Sequence, residues 1–330
     1  MPILTPFVTV LTPTWNRSNY LERVHAGLAG QTLRDFEWIV ADDGSTDQTE
    51  AIVRQLAARS EFPVTYIRAD RHVGKTRMDN EAVRQAKGAF ILWCDSDDWL
   101  LPNALQRLWE AWHSIPGDQR NEFVGLTALA ATEQGCIVDP FPGVDFKDVS
   151  WNDLAEIHGV TSDMLFCARA DALQAHPFPE VDFLIPESVV WTAIGHLPAR
   201  LIAEVLLMKE YRADHAISFS GTMSYNRGRA YALATTVRNL HGYRRSWKTR
   251  AWRLITFIRY SLHGEISLGE ALRMWGHNTG WFVFWLACPL AFALAAKDRL
   301  QGKVRRTHRE FLAAHETSAL TVEVLNAGGK

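Results

Sequence analysis

Apolar and polar positions along the first 113 residues repeat one unit: a short apolar run, a polar turn, then a stretch of helical period. The runs Phe7–Thr12, Trp38–Ala41, Val64–Arg68 and Phe90–Cys94 are too short for helices and rich in β-branched or aromatic residues. Each ends abruptly in turn residues, so they predict buried strands. Between them the spacing predicts helices over 18–29, 48–59 and 77–87, the last stopped by Gly88, and a further helix entered at Pro102. This repetition predicts an α/β fold with a mainly parallel sheet covered by helices on both faces. From 123 to 211 the pattern loosens, with strands expected at Phe123–Leu129, Cys136–Val138 and Met164–Ala168 and a helix near Glu187–Gly195. Pro, Gly and Asp crowd 139–153, which reads as a loop over the crevice.

Composition narrows the class. The 330 residues suffice for one large core or two modest ones, and 47% are hydrophobic. A net charge of −2 points to neither a nucleic-acid nor an acidic partner. Cys94, Cys136, Cys167 and Cys288 are far apart, each in an apolar context, and read as reduced core thiols of a cytosolic protein rather than zinc ligands. The apolar N-terminus lacks a basic flank and is interrupted by Pro6 and Pro13, so it reads as a first strand and not as a signal peptide.

Two acidic turns change the picture. Asp42–Asp47 follows the second predicted strand and Asp95–Asp98 the fourth. In an open α/β sheet ligands bind beyond the carboxyl ends of the strands, so both clusters face one crevice. Uncompensated acids there call for a cation, most simply a divalent metal held for a phosphorylated ligand. The plainer alternative is helix capping, for which Asp47 with Glu50 three residues on is well spaced.

Taken in order, the segments 8–17, Asp42–Asp47, Gly74–Gly88, Asp95–Pro102 and Pro186–Trp191 resemble the family 2 glycosyltransferases, inverting enzymes of the GT-A fold with a Rossmann-like sheet. The resemblance covers about 7–220 and is strongest up to Pro102. It implies a nucleotide-binding half at 1–113 and an acceptor half at 114–220, within a 1–220 GT-A domain. A nucleotide-sugar donor, with UDP-sugar foremost, would meet Thr12, Pro13 and Thr14 through backbone and Asp43 through its base. Asp97 is the implied ligand of Mg²⁺ or Mn²⁺, with Asp95 and Ser96 beside it on the donor. Many relatives carry Ala-Arg-Asn where this chain has Met78-Asp79-Asn80, so Lys75 or Arg77 would have to supply the missing positive charge. Glu187 is the implied base, with Asp182 in reserve, though most relatives use Asp. Tyr211-Arg212 and His215–Ser218 resemble the stretch that follows the base, and no Gln-x-x-Arg-Trp motif marks a processive synthase. Two other readings stand beside this one: a sugar nucleotidyltransferase, which would need a Gly- and Arg-rich N-terminal loop, and a non-catalytic membrane adaptor.

Residues 221–330 read as a basic, aromatic helical region. No acid occurs between His215 and Gly264, while cations run from Arg227 to Arg259 with Tyr243, Trp247, Trp252 and Phe257 among them. The segment Thr279–Ala296 carries no charge and as a helix would extend about 27 Å, just short of a bilayer core. Lys297, Arg299 and Lys303 follow it, and Pro289 sits inside it. If the sheet is cytosolic, a single span would leave those cations outside, against the positive-inside tendency. The expectation is therefore a shallow or re-entrant helix associated with the cytosolic membrane surface, suited to a glycan or lipid-linked acceptor, with a buried core helix as the alternative.

Overall fold

The computed structural model describes residues 5–132, 135, 140–160, 163–210, 225–240, 246–276, 281–304 and 319–326. The expected strand Cys136–Val138 and the stretch from Tyr211 to Ser218 lie outside these residues. The chain divides into two compact units: Met1–Glu180 with Ile194–Asp214 and Ala314–Lys330, and Val181–Ala193 with His215–Ala313. The boundary expected at 220 lies near one junction. The division differs from it in assigning 181–193 to the second unit and the chain's end to the first.

In the first unit β1 (Val8–Thr14), α1 (Ser18–Ala29), β2 (Phe36–Asp42), α2 (Thr49–Ala58), β3 (Val64–Ala69), α3 (Lys75–Gln85) and β4 (Phe90–Trp93) follow the alternation read from the sequence. After them come β5 (Trp99–Leu100), α4 (Ala104–His113), β6 (Gly125–Thr132), β7 (Phe146–Ser150), α5 (Trp151–Glu156), β8 (Leu165–Arg169), α6 (Ala170–Ala175), β9 (Pro198–Lys209) and β10 (Leu320–Asn326). One sheet runs in the order β10-β3-β2-β1-β4-β8-β6-β9-β5, with β7 paired to β9. Its β3-β2-β1-β4 part is parallel, and every residue of β1 and β2 is buried, as strands covered on both faces require. Beyond β4 the sheet becomes mixed: β8 is antiparallel to β4 and β6, and β9 is parallel to β6.

One expectation fails for a physical reason, and one strand was not anticipated. The 139–153 segment is not all loop, since Phe146–Ser150 pairs antiparallel with β9 and Trp151 opens α5. The Pro and Gly residues that suggested a loop end at Gly143, and the exposed Lys147 and Asp148 disguise an edge strand as polar chain. Strand β9 has the composition Ala, Leu, Glu, Met and Lys, good helix formers, yet pairing with β5, β6 and β7 holds it extended.

Strand order places the site. The chain goes from β1 outward to β2 and β3, then returns to the other side of β1 for β4, so the switch point lies between β1 and β4. Pairing of β1 with β4 stops at Leu11–Trp93, whereas pairing with β2 continues to Thr14–Asp42. The sheet therefore opens where the 12–17, 42–47 and 95–98 turns emerge. Pro13 sits in that opened end, where β1 no longer needs its amide for β4.

In the second unit α7 (Ser188–Ile194, its last residue in the first unit) shares a small cluster with α8 (Asn226–Asn239) through Val189 and Ala232, while α8, α9 (Trp247–His263), α10 (Leu268–Trp275) and α11 (Trp281–Leu300) surround a second apolar core. Ser246 and Ser267 cap α9 and α10, accepting from the Thr249 and Glu270 amides. Helix α11 continues through Pro289.

Candidate active site

The turns after β1 and β2 are zipped together by one left-handed residue. Asn16, at φ 52°, donates its amide to Ser45 Oγ at 2.8 Å, and its Oδ1 accepts from the Thr46 and Asp47 amides at 2.8 and 3.3 Å. Asp47 in turn accepts from the amides of Ser18 and Thr49, a capping role. Asp42 is buried, accepting from the Ser45 amide at 2.9 Å and the Tyr66 hydroxyl at 2.5 Å. Burial outweighs these bonds and holds its carboxyl above the usual range. Both outer acids of the first cluster are thus structural.

Asp43 lies 5% exposed between this turn and the loop before α3. Its Oδ1 accepts from the Val73 amide at 2.6 Å and the Gly74 amide at 3.0 Å, and its Oδ2 lies 2.9 Å from His72 Nδ1. The His72 ring stacks on Trp15, with centroids 4.2 Å apart and planes 14° from parallel. Gly44 makes the close approach possible: at φ 73° it has no Cβ to strike the Arg71 carbonyl carbon, 2.2 Å from where one would stand. At the end of β1 the Thr12 hydroxyl is occupied by the Trp38 indole at 3.0 Å, and Pro13 is buried. Thr14 is different: its Oγ1 is buried and has no hydrogen-bond partner among the described residues, and a group so placed at a strand end is suited to a ligand.

The second acidic turn carries its own cations. Asp98, 2% exposed, meets Lys209 Nζ at 2.8 Å, and the same ammonium lies 4.0 Å from Asp95 and 3.9 Å from Asp163. Burial pushes the Asp98 carboxyl above the usual carboxylate range, against the pull of Lys209 that holds it ionised, with Asp95 adding to the rise. Burial alone would lower Lys209, but the three acids outweigh it and hold its ammonium above the usual range. Asp97 pairs with Arg17 at 2.7 Å, and Arg23 donates to the Asp97 carbonyl at 2.6 Å while lying 4.2 Å over the Trp99 ring. Ser96 is buried, within 3.5 Å of Arg17.

Asp95 and Asp97 keep 39% and 22% of their side chains exposed, Asp98 only 3%. Among the described residues no three potential ligands converge. Two partly exposed carboxylates on one turn nevertheless fit Mg²⁺ or Mn²⁺, which take hard oxygens and leave the remaining positions to water and phosphate.

Helix α3 answers the question posed by Asp79. That carboxylate is fully buried and its Oδ2 meets Lys75 at 2.8 Å, within the same helix, and Arg77 is partly exposed on the first turn near Glu81. Asn80 accepts from the Phe178 amide and donates to its carbonyl and to Glu180, fastening 178–180 to the helix. In the second unit Glu187 directly precedes α7, partly exposed, and its Oε2 accepts from the Trp191 indole at 3.4 Å. Sequence reading gave no part to Lys209, Arg23, His72 or the Thr14 hydroxyl. Nothing local marks Lys209, a lone cation ending a strand that was itself not anticipated.

The profile of Glycosyl transferase family 2 matches residues 9–119, the segment that carries both acidic turns. Over this segment, about a third of the chain, the sequence is similar to glycosyl transferase family 2. It is 33% identical over 103 residues to a GalNAc(5)-diNAcBac-PP-undecaprenol beta-1,3-glucosyltransferase of Campylobacter jejuni, covering 31% of this chain and 33% of that protein. Over 100 residues it is 34% identical to the poly(ribitol-phosphate) beta-N-acetylglucosaminyltransferase TarS of Staphylococcus aureus, covering 30% of this chain and 17% of TarS. The alignments thus span a third or less of these curated relatives. The crystal structure of S. aureus TarS 1–349 in complex with UDP-GlcNAc superposes with a TM-score of 0.58, covering 91% of this chain and 93% of that one at 17% identity. That likeness shows the GT-A fold of the sheet unit.

Proposed function

We propose that the chain is a metal-dependent, inverting glycosyltransferase that moves a sugar from a nucleotide donor, UDP-sugar foremost, to a hydroxyl of a glycan or lipid-linked acceptor. The observation that carries this reading is the family segment folding so that three turns emerge at one switch point, two of them acidic. Asp43 holds the loop that brings His72 against Trp15, and this end receives the base. Thr14 Oγ1 offers a buried hydroxyl, and Arg77 a cation, to the donor. Asp97 and Asp95 would hold the divalent ion, which when bound neutralises charge that grows on the diphosphate as the glycosidic bond breaks. Arg17 and Lys209 balance the acids of the turn and keep it in one shape. Glu187, or failing it Asp182, takes the proton from the attacking hydroxyl, a contribution of about 10²–10⁴-fold for a positioned carboxylate.

The acceptor is proposed to lie at the cytosolic face of a membrane. Support comes from the polyprenyl-diphosphate acceptor in the name of the C. jejuni relative and from α11, the one helix among the described residues long and apolar enough to cross a bilayer. The test is a panel of nucleotide sugars with Mn²⁺, Mg²⁺ or chelator, scored for nucleoside diphosphate release. Release from one UDP-sugar, restored by metal after chelation, is expected. Release undiminished in chelator would remove the metal assignment, and formation of sugar nucleotide from a triphosphate would turn the reading to nucleotidyl transfer.

A further inference from the structure

Helix α11 has two apolar sides with different fates. Phe284, Cys288, Ala291, Ala295 and Asp298, at alternating spacings of four and three, are buried against the helical unit. The opposite side leaves Trp281, Phe282, Trp285, Leu286 and Leu290 exposed by 69, 60, 44, 64 and 49%. So large an apolar surface on one helix marks an interaction site.

The surrounding charge selects the partner. Helix α9 contains no acid, and the only acid of α11 is Asp298. That carboxylate is buried, paired with Arg259 at 2.5 Å and with His263 at 3.0 Å. Every exposed charge on the two helices is therefore positive, including Lys248, Arg250, Lys297 and Arg299. A second copy docking the same face would bring these cations together, which disfavours it. An anionic bilayer surface complements both the cations and the apolar side.

The pairing of Asp298 also decides how the helix lies. Because α11 is clamped to α9 by that pair and by a common apolar cluster, it cannot cross the hydrocarbon alone. It would draw Lys248, Arg250 and Arg253 in with it, at a prohibitive cost for several charges.

We propose that the outward face of α11 is a monotopic docking surface that lies in the headgroup layer of an anionic membrane without spanning it. This deepens the membrane-facing reading above and rests on it for the substrate. The experiment reads binding rather than transfer, so either can fail without the other. The full chain is sedimented with phosphatidylcholine vesicles with or without phosphatidylglycerol, and bound protein is then washed with alkaline carbonate. Binding to the mixed vesicles is expected, weaker by about tenfold on neutral ones or at high salt, and released by carbonate. The combined variant Trp281→Ser, Phe282→Ser, Trp285→Ser, Leu286→Ser should bind about tenfold less or weaker, with unchanged circular dichroism and UDP-sugar turnover. Absence of binding, or resistance to carbonate, would overturn the proposal. So would a variant that binds vesicles normally but loses self-association, which would make the face a dimer contact.

Discussion

Lys209 carries more of the acidic turn than its place in the chain suggests. One ammonium stands 2.8 Å from a buried carboxylate and within 4.0 Å of two others, so removing it leaves Asp98 without its counter-charge. Lys209→Met should cost about 3 kcal/mol of stability, the usual penalty for stranding one half of a buried pair. Adding Asp98→Asn to that variant should recover most of the loss, because the stranded charge is then gone. Chemical denaturation of both variants checks this, and equal stability for the two would show that Lys209 matters for something other than Asp98. The partner could not be read from the sequence. Asp95–Asp98 is visible as four adjacent letters, but its counter-ion lies more than a hundred positions on, brought back by a strand with helical composition. Asp43 stands out in the sequence by its place in the acidic turn, while its grip on Val73 and Gly74 depends on a loop approach that only the fold supplies. Asp47 sits between these cases, since capping was already a reading that its spacing to Glu50 allowed.

Elements were legible where local propensity and tertiary pairing agree. The β1–β4 alternation was clear because both faces of a parallel sheet are covered, which leaves short apolar strands that only helices can connect. Strands β7 and β9 were hidden, one by its exposed charges and the other by its helix-forming residues. The helical unit was seen as basic and aromatic, but not the clamp that joins α9 to α11. There Arg259 and His263 outweigh the burial of Asp298 and keep its carboxyl below the ordinary 3.8. A depressed folded value stabilises the native state above 3.8, and that stability is lost as pH falls through the folded value. Asp298→Asn should therefore lower stability by about 2 kcal/mol at neutral pH and by progressively less as the medium is acidified below 3.8. Thermal unfolding of both proteins across the acid range measures this. A constant gap between the two curves would mean that the carboxylate's charge plays no part in the clamp.

For the molecule as a whole, the reading requires donor binding and proton removal to be separable, because they are assigned to residues far apart in sequence and different in chemistry. On the proposed reading Asp97 belongs to a turn whose work is electrostatic and complete before any bond changes. On the same reading Glu187 is needed only when the acceptor hydroxyl attacks. Glu187→Gln preserves size and the capacity to accept from the Trp191 indole, and removes only the basic charge. It should bind UDP-sugar with unaltered affinity and lose about 10²–10⁴-fold in transfer. Asp97→Asn should instead weaken metal-supported donor binding itself, so that its loss appears in calorimetry before any turnover is measured. Slow hydrolysis of the donor by water separates the two again: it needs the donor site but not a bound acceptor, so the Asp97 variant should lose it while the Glu187 variant keeps a residue of it. If Glu187→Gln transfers at the parent rate, the base lies elsewhere and Asp182→Asn becomes the informative substitution. If both variants fail in donor binding alone, Glu187 belongs to the donor machinery, and the division of labour inferred from the resemblance must be redrawn.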